Sequence, residues 1–290
     1  MKRSTFLRTS LLSIISMDSL KDLKKFSDAL PEDGVKMPVL FIGHGSPMNG
    51  IEDNIFSQRW KQLGKEIPQP RAVLVVSAHW FTRGTFITAM DRPQTIHDFG
   101  GFPKALFDVQ YPAPGDPALA AETAKMITKA DVILDHDWGL DHGAWTIIKH
   151  MYPAADIPVL QLSIDYTRKP SFHYELAKEL AALRTKGVLI VGSGNMVHNL
   201  RIMNWNSPES GFDWAIEMND KFKKLITSGD HASLIDYEQL GQAAKLSIPT
   251  PEHYLPLLYT LGLQEKSDEV NIFNDKTLLG SISMTSVKLS

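Results

Sequence analysis

The 290-residue chain contains no cysteine. That absence excludes disulfides, thiolate zinc sites, iron–sulfur clusters and a cysteine nucleophile. Any metal must rest on histidine, aspartate or glutamate, and ten histidines are available. A surplus of one charge is also missing, since 30 Lys and Arg stand against 33 Asp and Glu for a formal net of −3. Nothing in this balance selects a nucleic acid or an anionic membrane as partner, so small molecules are the expected ligands. No apolar run reaches the ~20 residues needed to cross a bilayer. Walker loops, GxSxG elbows and HExxH pairs are absent too, and "GSGNMV" follows a strand without the third glycine of a dinucleotide fingerprint.

What is present begins with "MKRSTFLRTSLLSIISMDSL", a basic start followed by an apolar patch. Arg8 and several serines and threonines interrupt the patch, and no small-x-small cleavage site follows, so a signal peptide is disfavoured. Residues 1–36 are expected to form a helical or disordered leader and linker. Residues 37–290 are expected to form one catalytic domain, cytoplasmic, acting as a monomer or small homo-oligomer. From Val39 onward, near-continuous Val/Ile/Leu runs ("VLFIG", "AVLVVSA", "TFITAM", "VILD", "IPVLQLSI", "VLIVGSG") alternate with helix-like stretches. Such runs are strands buried on both faces. The expected fold is α/β: a three-layer sandwich with a largely parallel or mixed central sheet and helices on both faces. A long helix is expected over "SFHYELAKELAALRTKG", and two closing runs, "VNIFN" and "LLGSISMTSVKL", read as antiparallel edge strands.

Ligands of open α/β sheets gather at the carboxyl ends of strands. There "VLFIG" ends in His44, "AVLVVSA" in His79, and "VLIVGSGN" runs on to His198. One such histidine reads as an ordinary loop residue, but three at three strand ends, flanked by Gly43, Gly45, Gly192 and Gly194, read as a constellation with space cleared around it. His253 in "IPTPEHYLPLL" follows Thr250 as a possible N-cap and Pro251 at a first helical position, where the helix dipole favours a neutral imidazole. "DHDWGLDHGAW" adds His142, well placed for acid/base work, with Asp residues suited to capping the next helix. His97 in the Gly-rich "TIHDFGGFP" marks a candidate lid. His136, His150, His173 and His231 are assigned to surface or structural roles.

Taken in order, "GHGSPMN", "SAHWFTRG", "TIHDFGGFP", "YPAPG", "DHGAW", "SGNMVHNLR" and "PTPEHYLPLLY" resemble the LigB-type, or class III, extradiol ring-cleavage dioxygenases, in the DOPA 4,5-dioxygenase branch. The resemblance spans residues 37–290. It implies a divalent metal bound by His44, His79 and His253, with His198 beside it as ligand or acid/base. The metal would be Fe(II) for turnover, or Zn(II) as bound, because ring opening with O₂ needs a redox-active ion and Zn(II) is not one. The substrates implied are a catechol such as DOPA and O₂. His142 and His198 would carry the protons as the catechol is deprotonated, dioxygen attacks the ring and a lactone is hydrolysed. Trp80, Phe81, Phe99, Phe102 and Trp145 are candidates for the ring pocket. Where the wider class uses a carboxylate ligand, His253 stands here. Two other readings share these residues: a zinc-dependent hydrolase, and a non-catalytic binding protein resembling the Memo family.

Overall fold

Alternation along the first strand, β1 (Val39–Gly43), sets up two separate cores. Val39 and Phe41 point into one cluster, Leu40 and Ile42 into the other. The same division recurs in β2 (Ala72–Thr82), where Leu74 and Val76 face one core and Val73 and Val75 the opposite one. A strand buried on both sides needs cover on both sides, which is why the sequence inserts helices between strands. The computed structural model describes residues 36–290; the leader expected ahead of the domain lies outside the described residues.

The remaining strands of the main sheet are β3 (Thr85–Thr88), β4 (Val132–Asp135), β5 (Val159–Asp165), β6 (Val188–Gly194), β7 (Val270–Phe273) and β8 (Ser286–Leu289). The order across the sheet is β4-β3-β5-β2-β6-β1-β8-β7. The central pairs β5–β2, β2–β6 and β6–β1 are parallel, while β3–β5, β1–β8 and β8–β7 are antiparallel. One face is covered by α1 (Ile55–Glu66) and α3 (His142–Met151), which contribute Trp60, Trp145 and Ile148. The other carries α2 (Pro117–Met126), α4 (Pro170–Lys178), α5 (Asp213–Ser228) and α6 (Leu255–Gly262), through Leu119, Leu176, Phe222 and Leu258. This is the three-layer α/β sandwich expected, each buried large side chain being worth about 1.5–3 kcal/mol of transfer free energy. Among the described residues no helix is long and apolar enough to cross a membrane.

Several boundaries depart from expectation for local reasons. The long helix expected over residues 171–187 is two pieces, α4 and a short turn at Ala182–Thr185. The stretch from His231 to Ser247 is cut into short segments, with Gly241 ahead of the last at φ +100°, a conformation that suits glycine. Only β7 of the two closing runs is an edge strand; β8 is inserted between β1 and β7. α6 begins at Leu255 rather than Thr250 because Pro256, having no N–H, belongs in a first turn.

Candidate metal centre

Parallel neighbours β1, β2 and β6 end on the same edge of the sheet, so whatever follows them converges. His44 continues β1, its backbone N–H donating to the Gly194 carbonyl at the end of β6 (3.1 Å). His79 lies inside β2, not after it as expected. It sits in an irregular stretch where five residues of β2, from Val76 to Phe81, advance against two of β5, from Leu162 to Ile164. Bulges re-aim side chains, and this one turns His79 toward His44: the two Nε2 atoms are 3.1 Å apart.

His253 arrives from the turn before α6. Its backbone carbonyl accepts from Asn195 N–H (2.9 Å) and lies where a Cβ on Gly194 would be, while Gly192 makes the same allowance for Pro256. The glycines of "VGSG" thus let the His253 segment press against β6. Gly43 and Gly45 likewise accommodate Met284, whose backbone and sulfur occupy the space a side chain would take. This corrects the expectation that these glycines clear room around the histidines; they clear room for the chain segments that hold them.

Five imidazoles meet here. His44 is 5.3 Å from His253 and 5.5 Å from His142 between ring centroids, His79 is 3.8 Å from His142 and 5.0 Å from His253, and His198 stacks on His253 at 3.5 Å with 11° between planes. The five histidines proposed from the sequence for metal or proton transfer are therefore in one cluster. Glu252 and Asp98 are the carboxylates in contact with it.

Hydrogen bonds fix which nitrogens are free. Ser193 donates its hydroxyl proton to the Gly143 carbonyl (2.6 Å), so it can only accept from His44 Nδ1 (2.9 Å). His79 Nδ1 faces Asp98 Oδ2 at 3.3 Å, and His253 Nδ1 faces Glu252 Oε1 at 3.2 Å. Acceptors at every Nδ1 favour a proton there and leave Nε2 to face the cluster, the arrangement that outer partners impose on metal-binding histidines. Two lone pairs facing each other across 3.1 Å repel unless a cation lies between them, and one cation with ligands at ~2.0–2.1 Å spans such a gap. His44, His79 and His142 bring ligand nitrogens within 4.8 Å of one another, as do the ligand atoms of His198, Glu252 and His253, so the donor set fits a divalent metal, and neutral imidazoles suit iron and zinc alike.

Electrostatics agree. Burial, then the neighbouring imidazoles, holds His44 and His253 well below the ordinary imidazole value, His79 down to about 3 and His198 to about 4. The unfolded chain protonates these groups near 6.5 while the folded one does not, so between the two values U binds more protons and stability falls as pH falls. Metal-stripped protein is expected to lose on the order of several kcal/mol between about pH 6.5 and about pH 4. Urea midpoints across that range check this, and a flat midpoint would contradict neutral packing of the rings.

The first turn of α3 gathers the outer supports. Asp141 is the N-cap, as expected of an Asp in this stretch; its Oδ1 accepts from Ala144 N–H and from the Ser77 hydroxyl (2.7 Å). Burial and the Asp98 charge push it up to about 6. His142, the first residue of the helix, donates to Asp98 twice, from its backbone N–H (2.9 Å) and from Nδ1 (3.0 Å). Burial opposes ionisation of Asp98, but the hydrogen bonds donated by the His142 side chain and backbone outweigh it and hold the carboxyl at about 2.

Asp98 and Ser193 carry no weight in the sequence reading. In "TIHDFGGFP" attention falls on His97, yet His97 contacts the Val109 carbonyl (3.0 Å) and aromatic neighbours, while the adjacent Asp98 reaches the cluster. Of the five aromatics proposed for a ring pocket, Phe99 packs edge-on to His142 at 5.6 Å and Phe102 packs on Phe99. Trp145 and Trp80 are core residues, the first donating to the Ile96 carbonyl and the second stacked on Trp138. Phe81 packs against the core on the other face.

Residues 38–288 match the family model described as the catalytic LigB subunit of aromatic ring-opening dioxygenase. The chain is 48% identical over 258 residues to a "4,5-DOPA dioxygenase extradiol" of Escherichia coli (strain K12), covering 88% of this chain and 95% of that protein. It is 35% identical to a protein of the same name from Beta vulgaris, covering 89% and 98%. A crystal structure of an uncharacterized Escherichia coli K12 protein superposes with a TM-score of 0.77 at 44% identity, over 88% of this chain and 100% of that one.

Proposed function

The chain belongs to the LigB family of aromatic ring-opening dioxygenases, and from that membership we propose that it opens a catechol ring by extradiol cleavage with O₂, using one divalent metal held among the histidines. The substrate class is that in the names of its relatives, a DOPA-like catechol cut at the 4,5 bond. The observation that carries the reading is the convergence of His44, His79 and His253, whose ring centroids lie 5.0–5.3 Å apart, each with Nδ1 turned to an outer partner. These three would hold the metal, with His198 at the same site as a fourth ligand or a proton carrier. Fe(II), when bound, supplies the redox capacity and the adjacent open positions that a catechol and O₂ require.

The protein's own groups do the rest. His142, its Nδ1 engaged by Asp98, presents Nε2 beside the cluster and takes a hydroxyl proton as the catechol binds; His198, kept neutral by burial, returns or relays a proton as the ring opens. Phe99 offers an apolar edge next to His142 against which a flat ring packs. Both oxygen atoms of O₂ are accommodated in the ring-opened product, so no external reductant is consumed. We read the described domain as one catalytic unit acting as a monomer or small homo-oligomer, in the cytoplasm, where reducing conditions keep iron as Fe(II).

The test is anaerobic loading with Fe(II), addition of DOPA or a simple catechol, and admission of air. A yellow ring-fission chromophore with O₂ uptake is expected. Fe(II)-loaded protein that consumes no O₂ with any catechol would defeat the proposal, and hydrolysis of an ester by the zinc-loaded form alone would point to the hydrolase instead.

A further inference from the structure

In Asp98 a single carboxylate oxygen faces two rings. Its Oδ2 is 3.0 Å from His142 Nδ1 and 3.3 Å from His79 Nδ1, while Oδ1 accepts from the His142 backbone N–H at 2.9 Å. We propose that Asp98 is a positioning residue that fixes the tautomers of two histidines with different duties, His79 toward the metal and His142 toward the substrate. The inference rests on the functional reading above and extends it to a residue that touches neither metal nor substrate.

The loop that carries Asp98 is held on both sides. Ile96 N–H donates to the Leu140 carbonyl, Trp145 Nε1 donates to the Ile96 carbonyl, and Phe99 packs on Trp145 and Phe107. The carboxylate is therefore delivered to the rings by a fixed segment, and its side chain is only 17% exposed. The His142 backbone N–H and Nδ1–H donate to it and His79 Nδ1 lies within ion-pair reach, and an ionised carboxylate, being acceptor-only, suits all three.

An amide of the same shape fails at this position. In one orientation the Asn carbonyl meets the His142 backbone N–H and its NH₂ meets both Nδ1–H groups. The rings then relieve the conflict by moving their protons to Nε2, which removes the lone pairs the metal and the substrate proton need. Reversed, the NH₂ opposes the backbone N–H of His142, which has no second tautomer. Alanine forces neither conflict, because water can accept from the rings. A residue that merely filled space would rank Asn above Ala; tautomer control ranks Ala above Asn.

The experiment uses the full chain as wild type, D98A and D98N, with Zn(II) alone as probe and a chromophoric chelator as competitor. Ring ¹⁵N spectra of the zinc-free proteins are recorded alongside. In wild type, His79 and His142 are expected to be protonated on Nδ1. In D98N they move to Nε2 protonation, and Zn(II) affinity falls on the order of 10–100-fold, further than in D98A. D98N binding Zn(II) within about threefold of wild type, or more tightly than D98A, would overturn the proposal. If D98N does not fold, the wild-type spectrum decides: His79 or His142 protonated on Nε2 refutes tautomer control, and both on Nδ1 with weakened zinc binding in D98A supports it. None of these readouts requires turnover, so failure to cleave a catechol would count against the functional reading alone.

Discussion

His44→Ala and His253→Ala are each expected to yield folded protein that retains no metal and opens no ring. Both side chains are nearly fully buried, with 2% and 7% exposure, and both keep Nε2 unprotonated by spending Nδ1 on a neighbour. Removing one deletes a ligand outright. The loss should exceed the roughly 10–100-fold that removal of an outer partner costs. The fold should survive because His44 lies past the end of β1 and His253 in the turn before α6, so neither strand pairing nor the two cores depend on them. Elemental analysis per chain, beside circular dichroism, checks both halves of the expectation. Stoichiometric metal in either variant would remove that residue from the ligand set.

His142→Ala is expected to separate binding from chemistry. Its ring touches His79 at 3.8 Å between centroids, but its first duty in the structure is to Asp98. As a proton carrier its loss should lower kcat by roughly 10²–10⁴-fold while metal content stays unchanged. Loss of metal together with activity would make His142 a ligand. That outcome is chemically sensible, since His44, His79 and His142 each bring a nitrogen within 4.8 Å of the others. The same pair of measurements on His198→Ala distinguishes a fourth ligand from a second proton carrier, the choice left open by its position stacked on His253.

Much of this was legible in the sequence because strand patterning is local. Runs such as "VLVVSA" announce doubly buried strands, and buried parallel strands must end on a common edge, so His44, His79 and His198 could be placed together before any coordinates. What was not legible depended on contacts between distant segments. The irregular stretch that turns His79 toward His44 is set by pairing with β5, some eighty residues away in sequence. Ser193 reads as a small residue between glycines, and only its bond to His44 gives it a role. Asp98 stands beside a histidine that draws the eye, yet the loop folds so that the aspartate faces the cluster and His97 faces the Val109 carbonyl. The glycines are ambiguous for the same reason: a missing side chain says that something comes close, but not whether it is a ligand or, as with Met284 and His253, another chain segment.

Insertion of O₂ into a catechol ring at a metal held among these histidines is the proposed activity. Its most direct measurement is mass spectrometry of the product formed when Fe(II)-loaded protein and DOPA meet ¹⁸O₂, with O₂ uptake followed in parallel. One O₂ consumed per catechol and label carried into a ring-opened product is the expected result. A product whose new oxygen comes only from water, or intact catechol with no O₂ consumed, would contradict it.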